Sequence, residues 1–325
     1  MKKNIAVIYG GNSSEWEISV KSGKQVSESI DSERYSVFNI FICGNQWLLQ
    51  QENKPDVAID KNDFSVTIND TKIKFDLAFI VIHGTPGEDG LLQSYFEMLG
   101  IPHTSCSAFV SSLTFNKYAA KCFLRDAGIK MAKEIYFRKG GKINYDEIAS
   151  RLGMPLFVKP DASGSSYGVT KVKSTADLPR AFDEAFAESE AVLAEEYIAG
   201  REFGQGVFRT SGKLITLPIT EIISQNEFFD YEAKYEGKSA EVTPANISSE
   251  LAERLTQQSS LIYEYLGCKG IVRVDYIVRD EEIYFLEINT VPGMSQASIV
   301  PQQLRAFGMS LADAYTLFIE EALQK

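Results

Sequence analysis

Short apolar runs that end near glycines constrain the fold of this chain more than any other feature. Residues 5–9 (IAVIY) and 77–82 (LAFIVI) are two such runs, and glycine follows each within two residues. Continuous apolar runs of this length are typical of strands buried on both faces of a parallel sheet. A helical pattern follows each strand, from residue 15 or 17 to about 30 and from 91 to 100, so the sequence predicts an α/β fold.

Similar segments continue to the end of the chain. Further strands are predicted at 156–160, 192–198, 203–208, 214–219, 270–278 and 283–288, and further helices at 115–128, 178–189, 250–266 and 311–322. A chain of 325 residues is long enough for two or three packed units. We expect boundaries near residues 105 and 190, which would divide the chain into domains 1–104, 105–190 and 191–325.

Composition excludes several classes of protein. The chain has 33 Lys and Arg residues against 44 Asp and Glu, a formal charge of -11, and no basic block that would favour nucleic acid. The four cysteines are scattered and form no CxxC pair, so we expect reduced thiols in the cytoplasm rather than a zinc site or a disulfide scaffold. The apolar runs are too short to span a membrane.

Two adjacent strands near the C-terminus carry the strongest chemical signal. Arg273 and Asp275 share one face of the first strand, and Glu287 and Asn289 share one face of the second, because side chains alternate along a strand. An antiparallel hairpin with the three-residue loop 280–282 sets Asp275 opposite Glu287 and Arg273 opposite Asn289. A two-residue loop would oppose apolar to polar faces, so the alternation favours the three-residue loop.

This pairing brings two carboxylates together. Directly opposed residues have Cβ atoms about 5 Å apart, where like charges destabilise a sheet. Carboxylate and amide oxygens are the ligands that Mg²⁺ or Mn²⁺ prefers, so Asp275, Glu287 and Asn289 are predicted metal ligands. The alternative is a charged outer sheet face on which Arg273 neutralises its neighbours.

Two further segments have both a functional and an ordinary interpretation. The small-residue loop 160–168 follows Lys159 at the end of a strand, and its N–H groups and hydroxyls suit phosphate oxygens. The ordinary interpretation is a turn between strands. The charged and aromatic segment 227–238 is typical of a lid that closes over a site and excludes water, or of an amphipathic surface element.

Two loops lie at the carboxyl ends of the predicted parallel strands, where α/β sheets bind ligands. Residues 10–15 follow the first strand, and Glu15 there is a candidate for binding a ligand amine. Residues 83–90 follow the second strand and begin with His83. An acid is also favoured in the first turn of a helix by the helix dipole, and a histidine in a turn needs no ligand, so both ordinary interpretations stay open.

Eight short motifs, taken in order, resemble one family. They are GGNSSEWEIS, HGTPGEDG, NKYAAK, VKPDASGSSYGV, EEYIAGREF, FFDYEAKY, RVDY and EINTVPGMSQAS. Their unbroken order over about residues 5–314 resembles the D-alanine–D-alanine ligase family of the ATP-grasp superfamily. The resemblance implies three α/β domains, with ATP between the central and C-terminal domains and a lid loop at 225–243. It also implies a homodimer that converts two D-alanines and ATP into D-alanyl-D-alanine, ADP and phosphate for peptidoglycan precursors.

The resemblance further implies roles for individual residues. The expected ATP contacts are Lys117, Lys159, Ser166, Glu195, Glu196, Tyr197, Ile198, Glu202 and Lys234. The expected ligands of two magnesium or manganese ions are Asp275, Glu287 and Asn289. The expected catalytic groups are Glu15, which forms a hydrogen-bonded network with Ser165 and Tyr235 and holds the ammonium of the first D-alanine, and Arg273 and Gly293 around the oxyanion. The expected substrate contacts are Glu15, His83, Ser298 and Ile299.

The chain departs from the family pattern at four positions. Asn116 stands where the family usually has aspartate, and Tyr167 where it usually has valine. Phe229 replaces a frequent tyrosine, and Ser295 replaces a common threonine. These departures bear on loop details rather than on the reaction.

Three alternative functions stay open at this point. The second substrate would be D-serine or D-lactate in a variant ligase, although the pair Lys234 and Tyr235 favours the dipeptide. A regulatory protein would bind the nucleotide without turnover, but the chain retains Arg273, Asp275 and Glu287. A dehydrogenase is disfavoured because no GxGxxG follows the first strand.

Overall fold

A computed structural model describes residues 2–162, 164, 167–224 and 239–324 of the chain. The helices are α1 (Trp16–Ser29), α2 (Leu91–Leu99), α3 (Ala108–Phe115), α4 (Lys117–Arg125), α5 (Tyr145–Leu152), α6 (Leu178–Glu188), α7 (Ser249–Leu266), α8 (Ile299–Ala306) and α9 (Leu311–Leu323). The strands are β1 (Lys3–Gly10), β2 (Tyr35–Cys43), β3 (Gln46–Gln50), β4 (Val57–Ala58), β5 (Ser65–Ile68), β6 (Thr71–Lys74), β7 (Leu77–Ile80), β8 (Glu134–Arg138), β9 (Leu156–Pro160), β10 (Thr170–Val172), β11 (Ala191–Glu196), β12 (Arg201–Thr210), β13 (Lys213–Thr216), β14 (Thr220–Ser224), β15 (Ser239–Val242), β16 (Val272–Arg279) and β17 (Glu282–Asn289).

The first sheet has the strand order β4-β3-β2-β1-β7, and β1 is parallel to both of its neighbours. Side chains on one face of β1, including Val7, pack in a core with Phe318 of α9. Side chains on the other face, including Ile8, pack in a core with Phe96 of α2. The first strand is therefore buried on both faces, as its continuous apolar run predicts, and the C-terminal helix covers the N-terminal sheet.

Besides a two-stranded sheet of β5 and β6, two larger sheets follow along the chain, which we call the second and third sheets. The second has the order β10-β9-β11-β8 with antiparallel pairs, and α6 packs on it through Phe182. Strand β11 belongs to this sheet, which therefore extends past residue 190. The third has the order β15-β14-β12-β16-β17, with β13 beside β12, and packs on α7 through Leu255 and Ile262. Within the described residues, no helix combines the length and the apolar character needed to cross a membrane.

The hairpin of β16 and β17 has the predicted register at the residues proposed for the site. Asp275 lies opposite Glu287, and Arg273 lies opposite Asn289. The predicted three-residue loop, however, is wrong. The strands run to Arg279 and Glu282, which leaves a two-residue turn.

A β-bulge reconciles the short turn with the observed register. The pairing shifts between Asp275 and Tyr276, because Tyr276 pairs with Phe285 and Leu286 is the extra residue. A bulge reverses the alternation of side chains on one strand. Phe285 consequently lies in the apolar core with Tyr276, although strict alternation from Glu287 would place it on the face of Glu287.

The remaining strands and helices predicted from the sequence all have counterparts in the structure, and one of the helices begins later than predicted. The helix predicted at 115–128 corresponds to α4, which begins two residues later, at Lys117, because Phe115 ends the preceding helix α3 and Asn116 separates the two helices. Asn116 has extended backbone angles (φ -87°, ψ 104°), and its side chain caps α4 by accepting the N–H of Ala119. An asparagine that caps a new helix competes with continuation of the old one.

The two-residue turn at Asp280 and Glu281 generates a stability prediction. Both residues have positive φ (50° and 62°), which favours glycine at the second position of such a turn. We expect Glu281→Gly to raise the melting temperature by about 1–2 °C, because glycine adopts this conformation without strain. The control is Glu282→Gly in β17, which should lower the melting temperature. A melting temperature for Glu281→Gly at or below that of the wild type would contradict the assigned turn.

Candidate functional site

A cavity of about 290 Å³ lies between loops of the first and third sheets and the region around α4. Many residues that the motifs single out line it: Glu15, His83, Lys117, Arg273, Glu287, Asn289, Gly293, Ser298 and Ile299. Gly164, from the small-residue loop after β9, also lines it. The structure therefore brings together candidate residues from distant segments of the chain in one site.

Glu15 presents a buried carboxylate at the cavity, in the turn just before α1. Its backbone N–H donates to the hydroxyl of Ser13 (3.2 Å). A Cβ atom at Gly164 would clash with Oε2 of Glu15, and one at Gly84 would lie 3.7 Å from it. The glycine at position 164 thus allows the backbone to approach the carboxylate closely, and a buried carboxylate in such a place suits a cationic group of a ligand.

His83 ties the N-terminal region to the loop that follows β17. Its Nδ1 lies 2.9 Å from the carbonyl oxygen of Val291, and its Nε2 lies 3.3 Å from Oγ of Ser22. Burial lowers the pKa of His83, so the ring is neutral, with Nδ1–H donating to Val291 and Nε2 accepting from Ser22. The N–H of Met294 in turn donates to Ser22 (3.2 Å). His83 therefore holds the loop that carries Gly293.

Glu88 is a site residue that the sequence analysis did not single out. Its carboxylate accepts the N–H of Gly84 (2.7 Å) and that of Val291 (3.4 Å), so it joins the same two loops as His83. Burial, together with the nearby carboxylate of Glu15, raises the pKa of Glu88 to about 8. The available signal was an acidic residue within the glycine-rich loop after a buried strand.

Lys21 is a second residue that the motifs did not identify. It lines the cavity from α1 together with Glu15 and Ile18. Residues three apart on a helix lie on the same side, so the spacing from Glu15 was a usable signal. The cavity wall formed by α1 thus carries a lysine in addition to the predicted acid.

The predicted metal ligands lie together on the third sheet. Asp275 accepts hydrogen bonds from Nε and Nη2 of Arg273 (2.8 and 2.7 Å) and from Nδ2 of Asn289 (2.9 Å). Nζ of Lys117 lies 4.0 Å from Oε2 of Glu287. A Cβ atom at Gly204 of β12 would lie 2.9 Å from Oδ1 of Asp275, so glycine leaves room for this group.

The donor set of this cluster fits a hard divalent cation only in part. Among the described residues, no group of three or more His, Cys, Asp and Glu side chains could hold a metal ion. The cluster offers two carboxylates and the amide of Asn289. Mg²⁺ commonly takes one or two carboxylates and completes its shell with water and phosphate oxygens, so the residues fit an ion that is shared with a bound phosphate.

A buried charge triad lies on the second sheet and α4. Glu195 binds Lys159 through Oε2 (2.6 Å) and Lys121 through Oε1. All three side chains are buried. Burial alone would raise the pKa of Glu195, but the two lysines outweigh it and hold the pKa at about 2. The carboxylate is therefore ionised, and Lys121, which the sequence analysis did not assign, is part of the group.

The other predicted nucleotide contacts follow along β11 and β12. Glu196 accepts the N–H of Lys133 (2.9 Å), and Nζ of Lys171 lies 3.8 Å from the ring centroid of Tyr197. Ile198 is buried, and Glu202 is half-buried on β12. Four predicted residues lie outside the described residues: Ser165, Ser166, Lys234 and Tyr235.

Comparison with family models finds two matches that together cover most of the chain. Residues 4–106 match the model described as D-ala D-ala ligase N-terminus. Residues 123–320 match the model described as D-ala D-ala ligase C-terminus.

Curated relatives match over the whole length. The D-alanine–D-alanine ligase of Flavobacterium johnsoniae is 48% identical over 321 residues, which are 99% of this chain and 99% of that protein. The D-alanine–D-alanine ligase of Phocaeicola vulgatus is 46% identical over 98% of this chain and 99% of that protein.

Solved structures show the same fold. The VanG D-Ala:D-Ser ligase from Enterococcus faecalis is 33% identical, with a TM-score of 0.88 over 99% of this chain and all of that chain (100%). The D-alanine–D-alanine ligase from Bacillus anthracis complexed with ATP is 30% identical, with a TM-score of 0.79 over 99% of this chain and 97% of that chain. These likenesses confirm the predicted α/β fold class of the ATP-grasp type.

The buried triad generates a stability prediction. We expect Lys121→Met to lower the melting temperature by about 5 °C, because one oxygen of the buried Glu195 loses its partner. The difference in melting temperature between the variant and the wild type should shrink as the pH falls from about 4.5 towards 2. The pKa of Glu195 is lowered in the folded state, so its ion pairs stabilise the fold only while Glu195 is ionised.

The control for this prediction is Lys130→Met. Lys130 forms an ion pair of similar length with Glu282 (2.6 Å), but both side chains are about half exposed (48% and 56%). Exposed ion pairs contribute little to the stability of a fold, so we expect Lys130→Met to leave the melting temperature unchanged. Equal effects of the two variants would show that burial of the triad is not what stabilises it.

Proposed function

This chain belongs to the D-alanine–D-alanine ligase family, and from that membership we propose that it joins two D-alanine molecules into D-alanyl-D-alanine with conversion of ATP to ADP and phosphate. The observation that carries the proposal is the cavity itself. It combines a buried acid at Glu15, a guanidinium at Arg273 and the loop of Gly293. The first group suits an ammonium, and the other two suit a developing oxyanion.

The first chemical step activates the carboxylate of the first D-alanine. A carboxylate is a poor electrophile, so one of its oxygens attacks the γ-phosphorus of ATP, ADP leaves, and an acyl phosphate forms. Glu15 would bind the ammonium of this D-alanine. Lys117 and Lys159 would neutralise phosphate oxygens, which is the main contribution a protein makes to phosphoryl transfer. The position of Lys117, 4.0 Å from Glu287, supports this role.

The second step forms the peptide bond. The amine of the second D-alanine attacks the carbonyl carbon of the acyl phosphate, and phosphate leaves when the tetrahedral intermediate collapses. Arg273 and the N–H of Gly293 would stabilise the oxyanion. Two hydrogen bonds to Asp275 hold the guanidinium of Arg273 in place, and His83 holds the loop of Gly293. Ser298 and Ile299 line the same cavity and would contact the second D-alanine.

We propose Asp275, Glu287 and Asn289 as ligands of two magnesium or manganese ions. Such ions supply charge neutralisation at the transferred phosphoryl group when bound. The strand contacts of ATP would come from Glu195, Glu196, Tyr197, Ile198 and Glu202. The proposed lid, residues 225–243, would protect the acyl phosphate from water. Tyr235 of the lid would form a hydrogen-bonded network with Glu15 and Ser165, and Lys234 and Ser166 would contact ATP.

The location and assembly of the protein are also proposals. The scattered cysteines support a reducing compartment, and the reaction needs ATP, so we propose a cytoplasmic enzyme. The family resemblance supports a homodimer. We further propose three domains, with ATP bound between the second and third. The boundary expected at residue 190 moves past β11 (Ala191–Glu196), because that strand pairs with β8 and β9 of the second sheet.

A phosphate-release assay tests the proposed function. With ATP, magnesium and D-alanine alone, we expect phosphate release and D-alanyl-D-alanine at kcat values typical of enzymes, about 1–100 s⁻¹. No phosphate release with D-alanine would refute the proposal.

The same assay tests one alternative, a ligase that uses D-serine as the second substrate. The likeness to the VanG D-Ala:D-Ser ligase favours this alternative enough to test it. Product analysis with equimolar D-alanine and D-serine separates the two functions, with D-lactate as a third arm. An excess of D-alanyl-D-serine over D-alanyl-D-alanine would establish the alternative.

Lys21 generates a prediction about the second substrate. Its side chain and Ser298 line the same cavity, and the carboxylate of a second D-alanine needs a cationic partner. We expect Lys21→Ala to raise the higher of the two apparent KM values for D-alanine about tenfold and to leave the KM for ATP unchanged. The control is Lys24→Ala, one turn further along α1, where the lysine is exposed and lies 3.9 Å from Glu28. Equal kinetics of the two variants would contradict the role of Lys21.

A further inference from the structure

Asp161 is a buried carboxylate that the predicted site does not use. Only 1% of the residue is exposed. Its Oδ2 accepts Nδ2–H of Asn116 (2.6 Å), and its Oδ1 accepts the backbone N–H of Tyr118 (2.8 Å). Its own carbonyl accepts the N–H of Lys117 (3.1 Å), and its N–H donates to the carbonyl of Ala191 (2.9 Å). Every one of these contacts joins the end of β9 either to the first turn of α4 or to β11.

Asn116 has two partners that fix the orientation of its amide. Oδ1 accepts the N–H of Ala119 and so caps α4 (2.8 Å). Nδ2 must then face Asp161, because an amide nitrogen donates and a carboxylate only accepts. A neutral residue with one donor and one acceptor is therefore required at position 116 as long as position 161 is a carboxylate.

The contacts of Asp161 lie on either side of a proposed ATP ligand. Lys117 stands between Asn116 and Tyr118, and its own N–H is bound to Asp161. Lys159 is two residues before Asp161 on β9, and it is anchored to Glu195 (2.6 Å). Asp161 thus connects the backbone positions of the two lysines directly.

We propose that Asn116 and Asp161 form a clamp that positions Lys117 relative to Lys159 for binding the phosphates of ATP. This inference rests on the proposed function, which assigns both lysines to the nucleotide. The clamp acts through the two lysines and does not itself touch ATP, so Asn116 and Asp161 are positioning residues. Chemical groups that bind one ligand must be held to within a fraction of an ångström, so loosening the clamp weakens nucleotide binding.

The clamp explains why residue 116 of this chain differs from the family pattern, which the sequence alone left unexplained. Position 116 is asparagine where the family pattern favours aspartate. An aspartate there would place a carboxylate against Asp161 at the distance of a hydrogen bond (2.6 Å in this chain), where two ionised acids repel each other. In this chain, therefore, one of the two positions is charged and the other is neutral.

A reciprocal exchange provides the sharpest test. Asn116→Asp alone creates the opposed carboxylates. The double variant Asn116→Asp with Asp161→Asn restores the clamp with reversed polarity. The new carboxylate at position 116 would still cap α4, the amide nitrogen at position 161 would donate to it, and the amide oxygen at position 161 would accept the N–H of Tyr118.

The measurements are ATP binding by calorimetry with magnesium and without D-alanine, the KM for ATP and kcat in turnover, and the melting temperature. We expect Asn116→Asp to weaken ATP binding and to raise the KM for ATP about tenfold, with a smaller effect on kcat. The double variant should return to within about twofold of the wild type. The control is Asn144→Asp, because Asn144 caps the exposed start of α5 in the same way (3.2 Å to the N–H of Glu147) and should tolerate the change.

Each outcome decides the proposal. Unchanged ATP binding in folded Asn116→Asp overturns it, and so does a folded double variant that binds ATP as poorly as Asn116→Asp. If Asn116→Asp does not fold, the double variant alone tests the clamp: ATP binding close to that of the wild type supports it, and weak binding by a folded double variant overturns it. A wild type that binds ATP but releases no phosphate with D-alanine would refute the proposed function and leave the clamp test intact. A wild type that does not bind ATP would refute both.

Discussion

The opposition of Asp275 and Glu287 across β16 and β17 is the constraint on which the rest of the site depends. Like charges at this distance destabilise a sheet unless cations or a metal ion compensate them. Each carboxylate has a cation nearby. Arg273, on the same strand, binds Asp275 through two nitrogens, and Lys117 of α4 approaches Glu287 to 4.0 Å. Lys117 thus brings a charge of α4 to this pair, while Leu124 of the same helix packs in the apolar core of the third sheet.

The prediction from the sequence was correct for the opposed residues Asp275 and Glu287 and wrong for the length of the turn, and both results have one physical reason. Alternation of side chains reports only whether the number of residues between two positions is odd or even. A two-residue turn with one bulge residue has the same parity as a three-residue loop without a bulge. The extra residue at Leu286 is not marked by glycine or proline, so its position could not be inferred. The opposition of Asp275 and Glu287 was correct because both alternatives produce it.

Motif order predicted which residues line the cavity, but not what holds them there. Lys121 and Asp161 are buried and Glu88 is half-buried, and each has a partner far along the chain or on another element. Lys121 and Glu195, for instance, are 74 positions apart. Such contacts arise only when the sheets pack, and no local pattern announces them. The start of α4 was predicted two residues early, at residue 115, since a single capping residue such as Asn116 does not by itself mark a helix start.

The charge of the site differs from that of the chain. The whole sequence is acidic, with a formal charge of -11, yet Lys121 and Lys159 share the single carboxylate of Glu195, and burial, together with the nearby Lys159, lowers the pKa of Lys121. A buried excess charge is costly unless an opposite charge approaches it. Lys117, on the same helix as Lys121, adds a further cation at the start of α4. An anionic nucleotide would offset this local excess, so the same electrostatics that cost stability in the protein alone favour binding of ATP.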